Sequence, residues 1–189
     1  MIHKDFTDLL KSLAPFTEQE LKDADGFFKI EEIKKNDFIL EAGHVTGKIG
    51  YVVSGILRTY YVVGEREITT DFLIPGSIAA GMLSFLSDEP QNAYIVALEE
   101  ALLTTITKKN LFELYHENWK WQQVGRLLME QYFVESEERT IRLQSKSAHD
   151  LYEYFVQQHP DIVKVASLSY IASYLGMTPE TLSRIRKCR

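Results

Sequence analysis

Between Phe27 and about Lys108, seven glycines (Gly43, Gly47, Gly50, Gly55, Gly64, Gly76 and Gly81) cut the chain into short runs rich in β-branched and aromatic residues. The runs read FFKIEEI, DFILEAG, IGYVVSG, ILRTYYVVG, REITTDFLIPG, AYIVAL and ALLTTIT. Many short strands with frequent turns favour a sandwich or barrel over a parallel α/β sheet. Tyr51, Tyr60, Tyr61 and Phe72 read as strand packing, and Arg58 and Arg66 as strand-face charges. The alternation breaks between Gly81 and Ala93, where GMLSFLSDEPQNA suggests a helical turn and a loop held by Pro90. An excursion of this kind inside a β-domain often carries function, which makes it the candidate ligand site.

Helical patterns flank the β-region. Residues 4–14 and 17–24 read as two short helices, the second with capping-box spacing at Thr17 and Glu20. Residues 108–117 form another. Residues 118–143 read as one long helix with Asn118 as a possible N-cap and an apolar stripe of Val124, Leu127, Leu128, Tyr132 and Val134. Paired helices can bury such a stripe, so a homodimer is expected; packing of both faces within one chain is the alternative. Residues 145–160 form an amphipathic helix that Pro160 is expected to stop, and residues 161–166 a connector.

The last stretch, LSYIASYLGMTPETLSRIRKCR, has the pattern of a helix-turn-helix. Ile171 and Leu175 share a face, Ala172 lets a second helix cross closely, and Gly176 falls where the chain leaves the first helix with positive φ. Thr178 reads as N-cap and Pro179 as the first helical residue, with Glu180 near the positive end of the dipole. Leu182 and Ile185 turn the second helix inward. Glu180, Thr181, Ser183, Arg184 and Lys187 are left on a polar outer face. An ordinary αα-hairpin has similar small-residue spacing, but it does not call for an outer face of groups that bond bases and phosphates.

Charge supports the same division. The 189 residues carry a formal net charge of −6. Residues 1–138 hold 13 Lys+Arg and 23 Asp+Glu, whereas residues 139–189 hold 8 and 4. An acidic body with a basic segment appended suits a DNA-binding module carried by a partner domain. No apolar run approaches the roughly 20 residues of a membrane span, and the N-terminus has no apolar signal core. A cytoplasmic address and no membrane partner are therefore expected. The single cysteine, Cys188, excludes an intrachain disulfide framework or a cysteine-ligated metal. His3, His44, His116, His149 and His159 show no paired ligand spacing, so no cofactor or metal is expected.

A glycine-punctuated β-domain, a long helix and a C-terminal helix-turn-helix, in this order, resemble the Crp/Fnr family of bacterial transcription regulators. PETLSR (Pro179 to Arg184) is similar to the family's E-T-x-S-R recognition core, and IASYLGMTPETLSRIRK resembles its Bacteroidetes-type members. YVVSGILRTYYVVGEREITTDFLIPG is similar to its β-roll leading into the phosphate-binding cassette. The resemblance implies an α+β fold in three parts. These are a cyclic-nucleotide-binding-like antiparallel β-roll over 1–117, of cupin-like jelly-roll type, a dimerisation helix over 118–143, and a helix-turn-helix domain over 144–189. It also implies that Glu180, Ser183 and Arg184 meet base edges of a pseudo-palindromic double-stranded DNA site, with Thr178 and Thr181 near phosphates. Arg186, Lys187 and Arg189 are expected to meet phosphates or solvent. The family's wing has no counterpart before the sequence ends at Arg189, so a helix-turn-helix lacking a full wing is expected.

Cyclic-nucleotide-binding members carry Gly-Glu and Arg-Ser pairs in the cassette. Here the aligned positions are Ala80 and Gly81, then Gln91 and Asn92, which gives a candidate pocket without the carboxylate or the guanidinium. A buried phosphate without a cation is poorly compensated, so the effector is expected to be an unidentified small molecule other than cAMP bound in the usual way. Two alternatives stand beside the regulator: a ligand-binding β-roll whose C-terminal hairpin contacts protein, and a cupin-type enzyme. The second would need a metal cluster or an acid–base pair, and the carboxylates Glu65, Glu67, Asp71, Asp88 and Glu89 do not supply one in sequence.

Overall fold

The computed structural model describes residues 2–187. The first two helices, α1 (Lys4–Leu13) and α2 (Glu18–Ala24), are followed by a 3-10 turn. Thr17 accepts from the Glu20 N–H while Glu20 reaches back to the Thr17 N–H, so the expected capping box closes. The strands are β1 (Phe28–Ile33), β2 (Phe38–Leu40), β3 (Lys48–Ser54), β4 (Leu57–Val63), β5 (Arg66–Leu73) and β6 (Ile78–Ala79), then β7 (Ala93–Ala97) and β8 (Ala101–Thr107). Between β6 and β7 lies α3 (Met82–Ser87), the helical turn that the broken alternation predicts. The remaining helices are α4 (Lys108–Glu117), α5 (Trp119–Ser145), α6 (Ala148–Gln158), α7 (Pro160–Val165), α8 (Leu168–Tyr174) and α9 (Pro179–Lys187).

The strands form two four-stranded antiparallel sheets, ordered β1-β8-β3-β6 and β2-β7-β4-β5. The alternating apolar residues of both sheets meet in a dry interior of Leu40, Val52, Leu57, Leu73, Ile95 and Leu103. Each outer face then carries its own helical layer. On the first sheet, Phe28, Tyr51 and Ile106 pack against Phe6, Leu10, Phe16, Leu21, Trp121 and Val124 from α1, α2, their connection and α5. On the second, Ile56, Phe72 and Leu98 share a core with Leu151, Phe155, Ile162, Ile171 and Leu182 from α6 to α9. The β-roll is thus the middle of a helix–sheet–sheet–helix stack.

Three expectations change. The expected stop at Pro160 is a start, because proline at the first helical position needs no N–H partner and α7 occupies the expected connector. The helix before it begins at Ala148, capped by the Ser147 hydroxyl on the Asp150 N–H. The apolar stripe of α5 is divided, since Val124 and Leu128 pack on the N-terminal layer while Tyr132 and Val134 face solvent. The helix itself starts as expected, with the Asn118 side chain accepting from the Lys120 N–H.

Candidate nucleic-acid interface

Two short helices at a tight crossing build the C-terminal site. Ser167 caps α8 by accepting from the Tyr170 N–H. The helix ends at Gly176, whose φ of +67° lies in the left-handed region that glycine adopts without strain. The Met177 N–H closes the turn on the Ala172 carbonyl at 3.0 Å. Thr178 then caps α9, accepting from the Thr181 N–H at 3.2 Å. Ala172 and Leu182 are fully buried in the core that the two helices share.

The opposite side of α9 is open. Glu180, Arg184, Arg186 and Lys187 are exposed, and Thr181 and Ser183 are half-buried. Leu168, Pro179, Glu180, Ser183, Arg184 and Lys187 line one shallow groove. Its Glu180 carboxyl is held below the ordinary range by the residue's own backbone N–H and by the Thr178 hydroxyl, so it presents a charged acceptor. Beside it stand the fork of Arg184, the hydroxyl of Ser183 and the ammonium of Lys187. One wall therefore offers an acceptor, a hydroxyl and two cations within a helix turn or two. Arg189, expected to join the basic tail, lies outside the described residues.

The second candidate site is a cavity of about 260 Å³ at the end of the roll, between β2, the loop to β3, and β6. Ala80 and Gly81 line it, with Phe38, His44, Thr46 and Lys48. Gln91 and Asn92 do not line it; the Gln91 carbonyl instead accepts from the Gly43 N–H at 3.1 Å. A Cβ at Gly81 would stand 2.4 Å from Leu40 Cδ2 and 2.5 Å from Thr46 Oγ1, so a larger residue there would require those two side chains to shift. The Lys48 ammonium is paired with Glu31 at the sheet edge.

Sequence reasoning missed the junction between the roll and α8. Arg58, read as a strand-face charge, is 1% exposed. Its Nε donates to Thr69 Oγ1 at 2.9 Å and its Nη1 to Glu67 Oε2 at 2.7 Å. Its guanidinium lies 4.2 Å from the Tyr60 ring centre and 3.6 Å from that of Tyr170 on α8. Nearby the Ser173 hydroxyl of α8 accepts from the Thr69 N–H at 2.9 Å and donates to the Glu67 carbonyl at 3.2 Å. Tyr60 also stacks on Tyr94 at 4.8 Å, and Tyr94 meets Phe38 at 5.9 Å, so one row of rings joins the cavity wall to α8. A buried cation needs a second element to close over it, and a single strand pattern does not reveal that element.

Residues 30–118 match the cyclic nucleotide-binding domain family. A relative named anaerobic regulatory protein, from Haemophilus influenzae, is 27% identical over 97% of this chain and 77% of its own. Among solved structures, FixK2 from Bradyrhizobium japonicum is similar with a TM-score of 0.72 at 18% identity, covering 85% of this chain and 83% of that one. A transcriptional regulator assigned to the Crp/Fnr family from Eubacterium rectale has a TM-score of 0.69 at 18% identity, covering 92% of this chain and 83% of its own.

Proposed function

We propose that the chain is a transcription regulator of Crp/Fnr type that acts as a two-fold dimer reading a pseudo-palindromic DNA site. The observation that carries this reading is the open polar face of α9, held by a capped and closely packed α8–α9 crossing. Arg184 has the fork to bond O6 and N7 of one guanine, Glu180 the charged acceptor for a cytosine amino group, and Ser183 a hydroxyl that serves either base type. Thr178, Thr181 and Lys187 lie where phosphates would pass, contributing affinity that falls with salt and little specificity.

Dimerisation would use the second half of α5. Leu127, Val134 and Ile141 recur at seven-residue spacing, and Val134, Ile141 and Phe133 are 55%, 60% and 65% exposed. A two-fold axis along that seam would set two copies of α9 about 34 Å apart, one turn of duplex. A chain that sediments as a monomer at micromolar concentration contradicts the seam.

The sensor cavity would take a small molecule other than a cyclic nucleotide. Gly81 stands in place of the family's carboxylate, and Gln91 and Asn92, which stand in place of its guanidinium and hydroxyl, are not among the residues that line the cavity. A cyclic phosphate would be buried without the bidentate partner that offsets its desolvation.

The test is a duplex recovered by in vitro selection with the wild-type chain. Arg184→Ala should weaken binding to it by about 1–3 kcal/mol and relax preference at one base pair, read by fluorescence anisotropy on a panel of single substitutions. Unchanged base preference in the variant would remove Arg184 from the reading face.

A further inference from the structure

We propose that Arg58 is a positioning residue for the DNA-reading helices: it clasps α8 to the edge of the second sheet and so fixes where α9 points. The proposal rests on the reading of α9 given above. β5 is an edge strand, which leaves unpaired N–H and C=O groups along its outer side. α8 covers that edge, and one side chain, Ser173, serves both the Thr69 N–H and the Glu67 carbonyl. Arg58 adds to the contact, its guanidinium 4.2 Å from the Tyr60 ring centre of the sheet and 3.6 Å from the Tyr170 ring centre of the helix. The residue type matters, because a planar fork can donate in its plane to Thr69 and Glu67 while its π-system lies against aromatic rings. Lysine keeps the charge and loses that geometry.

The clasp is separable. Among the described residues, Glu67 is its one carboxylate partner and is about half exposed, and Nη2 is buried without a hydrogen-bond partner. Opening would hydrate Nη2 and the edge groups of β5, which offsets part of what the ring contacts contribute. The reading face of α9 stays open while the clasp is closed. The clasp therefore orients the reading head without covering it. With both heads oriented, a two-fold assembly can engage two half-sites at once; with loose heads it retains only the adhesion of one basic helix.

The experiment uses the full chain and the variants R58Q, R58K and S173A. Amide hydrogen exchange reports the clasp, and anisotropy on the wild-type-selected duplex and on random duplex reports DNA binding. In R58Q, exchange over Arg66–Leu73 and Leu168–Tyr174 should rise at least about tenfold while that over Lys4–Leu13 is unchanged. Affinity for the selected duplex should fall about tenfold and that for random duplex stay within about twofold, since phosphate contacts are intact. R58K should sit nearer R58Q than wild type. If R58Q does not fold, S173A, changed only at the junction surface, should give the same pattern at smaller size. Unchanged exchange would remove the clasp. Faster exchange with unchanged preference for the selected duplex, or equal losses on both duplexes, would remove the positioning role. A wild-type chain that selects no duplex, with R58Q still loosening both segments, would fault the assignment of α9 and leave the clasp standing.

Discussion

The two helical layers sit on their sheets by different chemistry. Under α1, α2 and α5 the contact is aromatic and dry: Phe6 stacks on Tyr51 at 4.8 Å, and Trp121 lies 4.7 Å from Phe16 and 5.8 Å from Phe28. Under α8 the apolar contact around Phe72 and Phe155 is bordered by a buried guanidinium, a serine bonded to strand edge groups, and the half-buried Asp71. Water cannot substitute for lost ring packing, whereas it can replace hydrogen bonds to an exposed strand edge. On the clasp proposed above, the first layer belongs to the permanent body and the second is a contact that can open. That is the division the proposed regulator would need between the part that holds its shape and the part that would read.

The largest test breaks the permanent side. Trp121→Ala removes a side chain 4% exposed at the centre of the first layer. It should cost about 3–5 kcal/mol and lower cooperative unfolding of the whole chain, measured by urea titration. Loss confined to α6–α9 would invert the comparison.

A pH test addresses the separable side. Burial pushes the Asp71 carboxyl up to about 6 from an ordinary 3.8, against the pull of the Phe72 N–H and of Arg139, with the Glu135 charge adding to the rise. The hydroxyls of Tyr132 on α5 and Tyr174 on α8 are pushed up first by burial and then by the Asp71 charge, which places both near it. Between those two values the closed junction holds more protons than an opened one. Closure is therefore favoured at low pH, and this contribution is lost as pH rises through about 6. The β5–α8 junction should open more readily at about pH 7.5 than at about pH 5, once intrinsic exchange rates are allowed for, and Asp71→Asn should remove most of that difference. An unchanged pH dependence in the variant would place the titration elsewhere.

Much of this was readable where the determinants are local. The Thr17–Glu20 box, the Asn118 and Thr178 caps and the turn at Gly176 each depend on residues a few positions apart, and each is found where the spacing puts it. The antiparallel roll follows from its turn-punctuated strands. What was not readable depends on distant partners. Pro160 begins a helix because His159 leaves α6 and Ile162 finds a core to enter. Arg58 is buried because Tyr170 and Ser173, more than a hundred positions later, fold back over β4 and β5. Gln91 and Asn92 are not among the residues that line the cavity, and the Gln91 carbonyl accepts from the Gly43 N–H instead, a pairing forty-eight positions apart.

The smallest expected effect tunes the permanent layer without breaking it. Thr17→Ala removes the α2 cap and should cost about 1 kcal/mol globally. An effect limited to fraying of α2, with unchanged global stability by urea titration, would mean that this helix is peripheral to the body.

Native-state hydrogen exchange across the whole chain tests the asymmetry most directly. The account predicts that amides of α1, β1 and β8 exchange only through global unfolding, while those of β5 and α8 exchange through a smaller opening of lower free energy. A single free energy shared by both groups would mean that the two layers open together, and would contradict it.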